Sequence, residues 1–206
     1  MTAAIEKCIV NAYLHNSKLD PYVLQIEGMS SPKVRHLLNN LCNASVGYLE
    51  VGCWKGSTLI SAAYKNDTPI WAYDDFSEFN DGTIENSLSY NINRFLTHGE
   101  NLTFRNIPLQ KINRYDAKPF NIDCLFIDCK HDHQTQYEAI EYLTPFCLNE
   151  FVLVVDDWNY EPVRTGTMAG LKEFNLTVKE NYWLPAIYNG DLTGWWNGLY
   201  IARIVK

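Results

Sequence analysis

The stretch YLEVGCWKGSTLISAA, residues 48–63, joins a short apolar run to a helical one through Gly52 and Gly56. The run before Gly52 has the length and composition of a buried strand. Glycine at such a turn lets the backbone take a positive φ or approach a ligand closely. In open α/β sheets, ligands bind at the carboxyl ends of strands, beside turns of this kind. We therefore expect a binding site at this turn, although two glycines could also serve only to make it tight.

The order of segments along the chain predicts the fold class. Short apolar runs alternate with longer amphipathic ones, which is typical of crossovers and a parallel sheet. The last two β-like runs, 176–186 and 198–206, are too close in sequence for a crossover helix and should pair antiparallel. We expect an α/β fold with a doubly wound, mostly parallel Rossmann-like sheet closed by an antiparallel C-terminal hairpin. The preceding strands are predicted at 47–51, 69–74, 102–107, 122–128 and 151–157.

One domain is expected over residues 1–206, because the sequence shows no repeat and no linker rich in Gly, Pro or Ser. A chain of this length, 47% hydrophobic, can bury one substantial core. Ser31 before Pro32, followed by helically spaced apolar residues, predicts the start of a helix. Residues 1–45 should thus form an N-terminal helical cap, and residues 46–206 the Rossmann-like core.

Composition argues against several functional classes. A formal net charge of −7 disfavours nucleic acid as a partner, since binding phosphates needs a basic face. The sequence has neither an apolar run of membrane-spanning length nor the pattern of a signal peptide at its start, so we expect no membrane association and a cytoplasmic protein. Six cysteines without a CxxC pair are expected to be reduced thiols, mostly in the core.

Three ligand classes compete for the glycine turn. A P-loop is disfavoured because three residues, not four, separate the glycines and Lys55 precedes Gly56. A dinucleotide fingerprint is disfavoured because Trp54 stands where its second glycine belongs. The third class carries an acidic residue two places before the first glycine, and Glu50 occupies that position. A carboxylate there suits a ligand with a cationic amine, such as an amino-acid-like adenosine.

The same stretch resembles the first motif of the class I S-adenosylmethionine-dependent methyltransferases. More narrowly, LEVGCWKGSTLISA looks like the Glu-(Ile/Val)-Gly-x-x-x-Gly version of the macrocin and catechol O-methyltransferases, a resemblance that covers roughly residues 28–160. It implies S-adenosylmethionine as cofactor and a hydroxylated small molecule as acceptor. The cofactor-binding residues that it implies are Met29, Ser30, Glu50, Gly52, Cys53, Gly56, Ser57, Asp74 and Asp128.

Asp74 ends the second predicted strand, where an acidic side chain can accept both ribose hydroxyls of an adenosine. NAD enzymes and methyltransferases share this feature, so Asp74 does not discriminate between them, and Asp75 beside it is a rival. Two alternatives therefore stay open. One is an NAD-dependent oxidoreductase, and the other is a non-catalytic S-adenosylmethionine-binding protein.

Three aspartates end the fourth and fifth predicted strands. Asp128 ends the fourth run, and Asp156 and Asp157 end the fifth. Parallel strands bring their carboxyl ends together, where three carboxylates would repel one another and raise one another's pKa. A divalent cation would relieve this repulsion, and oxygen ligands favour Mg²⁺ or Ca²⁺. The resemblance nominates the same three residues as metal ligands, with Mg²⁺ preferred.

The segment after Asp128 carries the candidate catalytic bases. In the resembling family, the proposed general base falls at the position of Lys130, so Lys130 is the first candidate and His131 the second. Either could equally be a solvated side chain. Cys129, His131 and His133 also leave open a softer metal site, although zinc ligands are usually spaced differently.

The C-terminal part of the chain is rich in tryptophan. Aromatic side chains there could form an apolar wall for the acceptor, although aromatics in strands more often belong to the core. The candidates are Trp158, Trp183, Trp195 and Trp196. Self-association into a homo-oligomer is left open.

Overall fold

The computed structural model describes residues 2–79, 82–96, 101–112 and 121–206. Within these ranges the chain forms six α-helices and seven β-strands. The helices are α1 (Thr2–Tyr13), α2 (Pro32–Asn43), α3 (Ser57–Ala63), α4 (Ile84–Phe95), α5 (His133–Leu143) and α6 (Glu161–Glu173). The strands are β1 (Tyr48–Val51), β2 (Ile70–Asp74), β3 (Leu102–Asn106), β4 (Ile122–Ile127), β5 (Cys147–Val155), β6 (Thr177–Leu184) and β7 (Leu199–Val205).

The seven strands form one sheet in the order β3-β2-β1-β4-β5-β7-β6. The first five strands are parallel, whereas β7 pairs antiparallel with both β5 and β6. This architecture confirms the predicted fold class. One boundary differs: β5 begins at Cys147 rather than near 151, because its first residues pair with the end of β7 and the start of β4.

The strand order reverses at β1, which lies between β2 and β4. Val51, the last residue of β1, is in register with Tyr73 of β2 and Ile127 of β4, so the three strands end at the same level. The chain continues to β2 on one side of β1 and later to β4 on the other side. At such a switch point in open α/β sheets, a crevice opens at the carboxyl edge of the sheet.

Two apolar layers cover the sheet. Helices α1, α2 and α3 pack on one face and α5 and α6 on the other, so the predicted N-terminal cap shares its core with the sheet. Ser31 caps α2, since its Oγ accepts a hydrogen bond from the amide of Val34, as its position before Pro32 predicts. All six cysteines are free thiols, and five are buried. Within the described ranges, no helix is both long and apolar enough to cross a membrane.

Candidate functional site

The turn between β1 and α3, residues 52–56, is called the glycine turn below. Gly52 has φ of 87°, and a Cβ at this position would lie 1.7 Å from the carbonyl oxygen of Asp128. Gly56, also at φ of 87°, precedes α3 as its N-cap, and a Cβ there would meet Leu88 at 2.6 Å. Both positions therefore require glycine, for backbone conformation and for space.

Asp74 holds the glycine turn in place. Its Oδ2 accepts hydrogen bonds from the amides of Cys53 and Trp54, both at 2.7 Å, and its Oδ1 accepts one from the amide of Phe76 at 2.7 Å. Burial raises the pKa of the Asp74 carboxyl, and these three N–H donors oppose that shift. Its neighbour Asp75 is exposed and accepts a hydrogen bond from the amide of Ser77. Of the two aspartates, Asp74 is therefore the one that the glycine turn fixes in position.

Glu50 lies beneath the turn and is completely buried. Its two carboxylate oxygens accept hydrogen bonds from the hydroxyls of Tyr48, at 2.8 Å, and Thr58, at 2.7 Å. Burial raises the pKa of Glu50 to about 7, although both hydroxyls lower it. Glu50 does not line the cavity described next, so any effect on a ligand would pass through the turn.

A cavity of about 350 Å³ opens along the carboxyl edge of the sheet. This volume suits a small-molecule ligand. Gly52, Trp54 and Asp74 form one part of its lining, which is called the glycine-turn end below. Asp128, Lys130, His131 and Asp157 form a second part, called the aspartate end, and the two parts adjoin where Gly52 meets the backbone of Asp128. Apolar side chains also line the cavity, among them Met29, Phe76, Phe79, Ile107, Leu109 and Trp196.

The aspartate end contains one group that could hold a metal ion. Ligand atoms of Asp128, His131 and Asp157 lie within 4.8 Å of one another, and this is the group of three found among the described residues. Asp156 is buried outside it, with its Oδ1 accepting from the amide of Asp157 at 2.8 Å. His131 therefore stands where the sequence predicted Asp156. Of the softer set Cys129, His131 and His133, only His131 belongs to the group.

The charges at this end are only partly balanced. Nε2 of His131 lies 2.6 Å from Oδ2 of Asp157, and Asn197 donates a hydrogen bond to Oδ1 of Asp157 at 2.5 Å. Burial, Asp156 and Asp157 raise the pKa of the Asp128 carboxyl well above its usual range, and no described residue donates a hydrogen bond to it. The contact with Asp157 raises the pKa of His131.

The two candidate bases differ in their contacts and in their exposure. The His131 ring stacks on Tyr160, with ring centroids 5.5 Å apart and planes 7° from parallel. Lys130 lines the same cavity but is exposed. Helix α5 holds the backbone of this segment, because the buried Gln136 donates from Nε2 to the carbonyl oxygen of Lys130 at 3.0 Å.

Seven of the predicted site residues line the cavity, and six do not. The lining residues are Met29, Gly52, Asp74, Asp128, Lys130, His131 and Asp157. The others lie behind its wall and are Ser30, Glu50, Cys53, Gly56, Ser57 and Asp156. Ser30 and Ser57 meet there, with their hydroxyl oxygens 3.4 Å apart. Cys53 faces the core, and its part in the site is the amide that binds Asp74.

The four candidate tryptophans lie in different environments. Trp196 lines the cavity, whereas Trp195 is buried and donates a hydrogen bond to the exposed Tyr13. Trp158 stacks beneath the site on Tyr200, and Trp183 is exposed on β6 and does not line the cavity.

Sequence reasoning missed Asn197 and Tyr160. The tryptophan-rich ending pointed towards the segment that carries Asn197, but not to that residue. Nothing in the sequence singled out Tyr160.

No family model and no curated protein matches the sequence. Solved structures do match the fold. An O-methyltransferase from Bacillus cereus in complex with S-adenosylhomocysteine has a TM-score of 0.63 at 16% identity, over 99% of this chain and 91% of that one. The O-methyltransferase TomG from Streptomyces achromogenes, involved in tomaymycin synthesis and bound to S-adenosylmethionine, has a TM-score of 0.62 at 16% identity, over 98% and 90%.

TYW2 from M. jannaschii, also bound to S-adenosylmethionine, has a TM-score of 0.58 at 12% identity, over 84% of this chain and 74% of that one. These proteins differ in their names, but all match this fold, and all were solved with S-adenosylmethionine or S-adenosylhomocysteine. The chain therefore has the fold of the class I S-adenosylmethionine-dependent methyltransferases.

Proposed function

We propose that the protein is an S-adenosylmethionine-dependent methyltransferase that methylates a hydroxyl group of a small molecule with the help of a divalent metal ion. One observation carries the proposal: the glycine turn and the Asp128, His131 and Asp157 group open into the same cavity. A methyl donor at one end and an acceptor at the other would therefore lie side by side, which is most of what methyl transfer requires.

The glycine-turn end fits the cofactor. Asp74 is held at the cavity wall with oxygen lone pairs left for ribose hydroxyls, and Gly52 lets the backbone approach without a side chain. Nε1 of Trp54 is buried without a hydrogen-bond partner among the described residues, so this residue of the cavity lining has an unused hydrogen-bond donor. S-adenosylmethionine would supply the methyl group on its sulfonium.

The aspartate end fits a divalent cation, with a ligand set of two carboxylates and one imidazole. Carboxylates suit Mg²⁺ and Mn²⁺, whereas the imidazole of His131 favours a transition metal over Mg²⁺. A bound cation would offset the burial and the carboxylate repulsion that raise the pKa of Asp128, and it would lower the pKa of an acceptor hydroxyl. Asn197 and Gln136 hold Asp157 and the Lys130 segment in position.

Removal of the acceptor's hydroxyl proton falls to Lys130 or His131. Lys130 lines the cavity and has no ion-pair partner among the described residues. His131 can act only if it is not bound to the metal, because its Nε2 belongs to the ligand group. Lys130 is therefore the candidate base that stays free of the metal, and it would accept the proton only as the neutral amine.

Thermal unfolding with added ligands tests the cofactor. We expect S-adenosylmethionine and S-adenosylhomocysteine to raise Tm by roughly 5 to 10 °C at 100 times their dissociation constants, and NAD to have no effect. Mg²⁺ and Mn²⁺ are added separately in parallel. A shift with NAD alone would replace the proposal by an oxidoreductase.

Methyl transfer to a panel of vicinal diols tests the metal. Asp128→Ala should abolish transfer, whereas Asp67→Ala, which removes an exposed carboxylate outside the cavity, should not change it. Undiminished transfer by Asp128→Ala would exclude the metal mechanism. Cofactor binding without transfer to any acceptor would support a non-catalytic binding protein.

A further inference from the structure

Glu78 is a residue of the cavity lining that neither end of the site uses. It lies in the loop between β2 and α4 and is exposed to the cavity. Its carboxylate forms no hydrogen bond and no ion pair with a described residue. Asp75, earlier in the same loop, also lines the cavity, but its Oδ1 accepts a hydrogen bond from the amide of Ser77 at 3.0 Å. Glu78 therefore offers a ligand two unused carboxylate oxygens.

The negative charge of Glu78 is only partly compensated. Partial burial raises the pKa of its carboxyl, whereas the charges of His131 and Lys130 lower it. Asp157 and Asp74 add to the rise, so burial and the like charges together outweigh the two cations. A positively charged ligand group beside Glu78 would supply the missing compensation.

Cations are scarce in the described lining of the cavity. It contains no arginine and one lysine, Lys130, beside His131. His131 belongs to the candidate metal group, and a metal ion there would balance the carboxylates of that group but would leave Glu78 unpaired. The acidic residues of the lining are Asp74, Asp75, Glu78, Asp128 and Asp157. A carboxylate or phosphate on the acceptor would therefore meet mostly negative charge.

Aromatic side chains flank Glu78 in the same loop. Phe76 and Phe79 both line the cavity. The ring of Phe79 meets that of Trp54 edge-on, with centroids 6.4 Å apart and planes at 67°. Such a wall suits an apolar or aromatic ring, and the faces of aromatic rings also attract a cation. A ring against this wall would bring a substituent towards Glu78.

We propose that Glu78 selects acceptors that carry a protonated amine, by accepting a charge-assisted hydrogen bond from that amine. This inference rests on the proposed function, because it names the substrate class of the same cavity: a hydroxylated ring with an aminoalkyl group. The same carboxylate disfavours anionic acceptors. Glu78 contacts the amine and not the reacting hydroxyl, so it determines specificity and takes no part in the chemical step.

Three matched acceptors test the inference. Each has an ortho-dihydroxyphenyl ring, and its side chain is cationic in dopamine, neutral in ethylcatechol and anionic in dihydroxyphenylacetate. Binding to the full chain is measured by calorimetry in the presence of S-adenosylhomocysteine and Mn²⁺, and methyl transfer is measured with S-adenosylmethionine. We expect dopamine to bind about 5- to 10-fold more tightly than ethylcatechol, and dihydroxyphenylacetate to bind most weakly.

Glu78→Gln removes the charge and keeps the shape of the side chain. Because Glu78 is exposed and bonds to no described residue, the variant should fold normally. It should raise KM for dopamine about 5- to 10-fold with kcat unchanged, and should change KM for ethylcatechol less than about twofold. Glu78→Lys should reverse the preference, so that dihydroxyphenylacetate binds more tightly than dopamine.

Glu161→Gln is the matched control. Glu161 is an exposed carboxylate at the start of α6, just after β5, and it does not line the cavity. Its substitution removes the same charge and should leave the affinities for all three acceptors unchanged. An effect equal to that of Glu78→Gln would show that the net charge of the protein sets the preference, which would overturn the inference.

Equal weakening of dopamine and ethylcatechol by Glu78→Gln would also overturn the inference, because Glu78 would then only shape the cavity. Equal affinity of the natural protein for the three acceptors would do the same, as would failure to bind dopamine while S-adenosylhomocysteine binds. Failure of the proposed function gives different results. The natural protein would then bind neither S-adenosylmethionine nor S-adenosylhomocysteine, or it would prefer dopamine in binding but methylate no acceptor.

Discussion

The two ends of the cavity differ in the hydrogen bonds that their carboxylates accept. At the glycine-turn end, Asp74 accepts three backbone hydrogen bonds and Glu50 accepts two from hydroxyls. At the aspartate end, Asp128 accepts none from the described residues, and burial and two further carboxylates raise its pKa. The first end is complete as the chain folds, whereas the second carries charge that a bound cation would balance.

Gly52→Ala should have the largest effect, because Gly52 joins the two ends. A Cβ there would lie 1.7 Å from the carbonyl oxygen of Asp128, so the β1 turn and the end of β4 would have to separate. We expect a loss of about 4 kcal/mol in the free energy of unfolding, measured by urea denaturation, and loss of binding at both ends.

Gly82→Ala is the matched control for this substitution. Gly82 also has a positive φ, 76°, but no atom of the described residues lies within 4 Å of a Cβ there. It should lose only about 1 kcal/mol, the cost of the left-handed backbone alone. Equal losses for the two variants would show that backbone strain, and not contact with Asp128, sets the effect at Gly52.

Glu50→Gln should change how stability depends on pH. The folded protein raises the pKa of Glu50 from 4.5 to about 7, so it holds a proton there that the unfolded chain has lost. The stabilisation is fully present below pH 4.5 and is lost as pH rises through 7. Relative to the Gln variant, the natural protein should therefore lose on the order of 3 kcal/mol between pH 4.5 and 8.

Urea denaturation of both proteins at several pH values measures this difference. Glu173→Gln, which removes one exposed carboxylate far along α6, is the control for the loss of a charge. A pH-independent difference between the natural protein and Glu50→Gln would mean that Glu50 keeps its charge beneath the turn.

The sequence predicted which strand ends meet at the cavity, but not which of their neighbouring side chains face it, for a physical reason. Gly52, Asp74 and Asp128 lie at the ends of strands, and parallel strands in register must bring their ends together. The choice between Asp156 and Asp157 depends on the backbone after β5, where Asp157 takes a left-handed φ of 58°. An Asp-Asp pair in sequence does not reveal that rotation.

Asn197 was beyond sequence reasoning because it acts across a long separation in the chain. It reaches Asp157, 40 residues away, from the loop between β6 and β7. It belongs to no motif. Its role depends on how this loop packs over the sheet edge, which hydrophobic periodicity does not encode.

Replacing an aspartate by asparagine should change the free energy of unfolding in opposite directions at the two ends. Asp74→Asn puts an NH₂ group against backbone N–H donors and should cost about 2 kcal/mol. Asp128→Asn removes a carboxylate that folding brings close to Asp156 and Asp157. Without added metal, it should raise the free energy of unfolding by about 1 to 2 kcal/mol at pH 8.

Denaturation with a chelator, and again with Mg²⁺ or Mn²⁺, tests this pair. The metal should stabilise the natural protein and Asp74→Asn, but not Asp128→Asn, which lacks one ligand of the group. Destabilisation by both substitutions in the chelator would contradict the contrast between the ends, because Asp128 would then be as well satisfied as Asp74.

Asn197→Ala should have the smallest effect on stability and a selective effect on metal binding. Asn197 donates to Asp157 and accepts from the amide of Gly190 at 2.7 Å, so it fixes one candidate ligand from a neighbouring loop. Its loss should cost about 1 kcal/mol and weaken Mn²⁺ binding by roughly tenfold, because outer hydrogen bonds orient metal ligands. Asn189→Ala removes another amide of the same loop, one that bonds to Asn159 instead, and should leave Mn²⁺ affinity unchanged. If both variants weaken Mn²⁺ binding equally, the loop as a whole, and not the Asn197 contact, holds Asp157 in place.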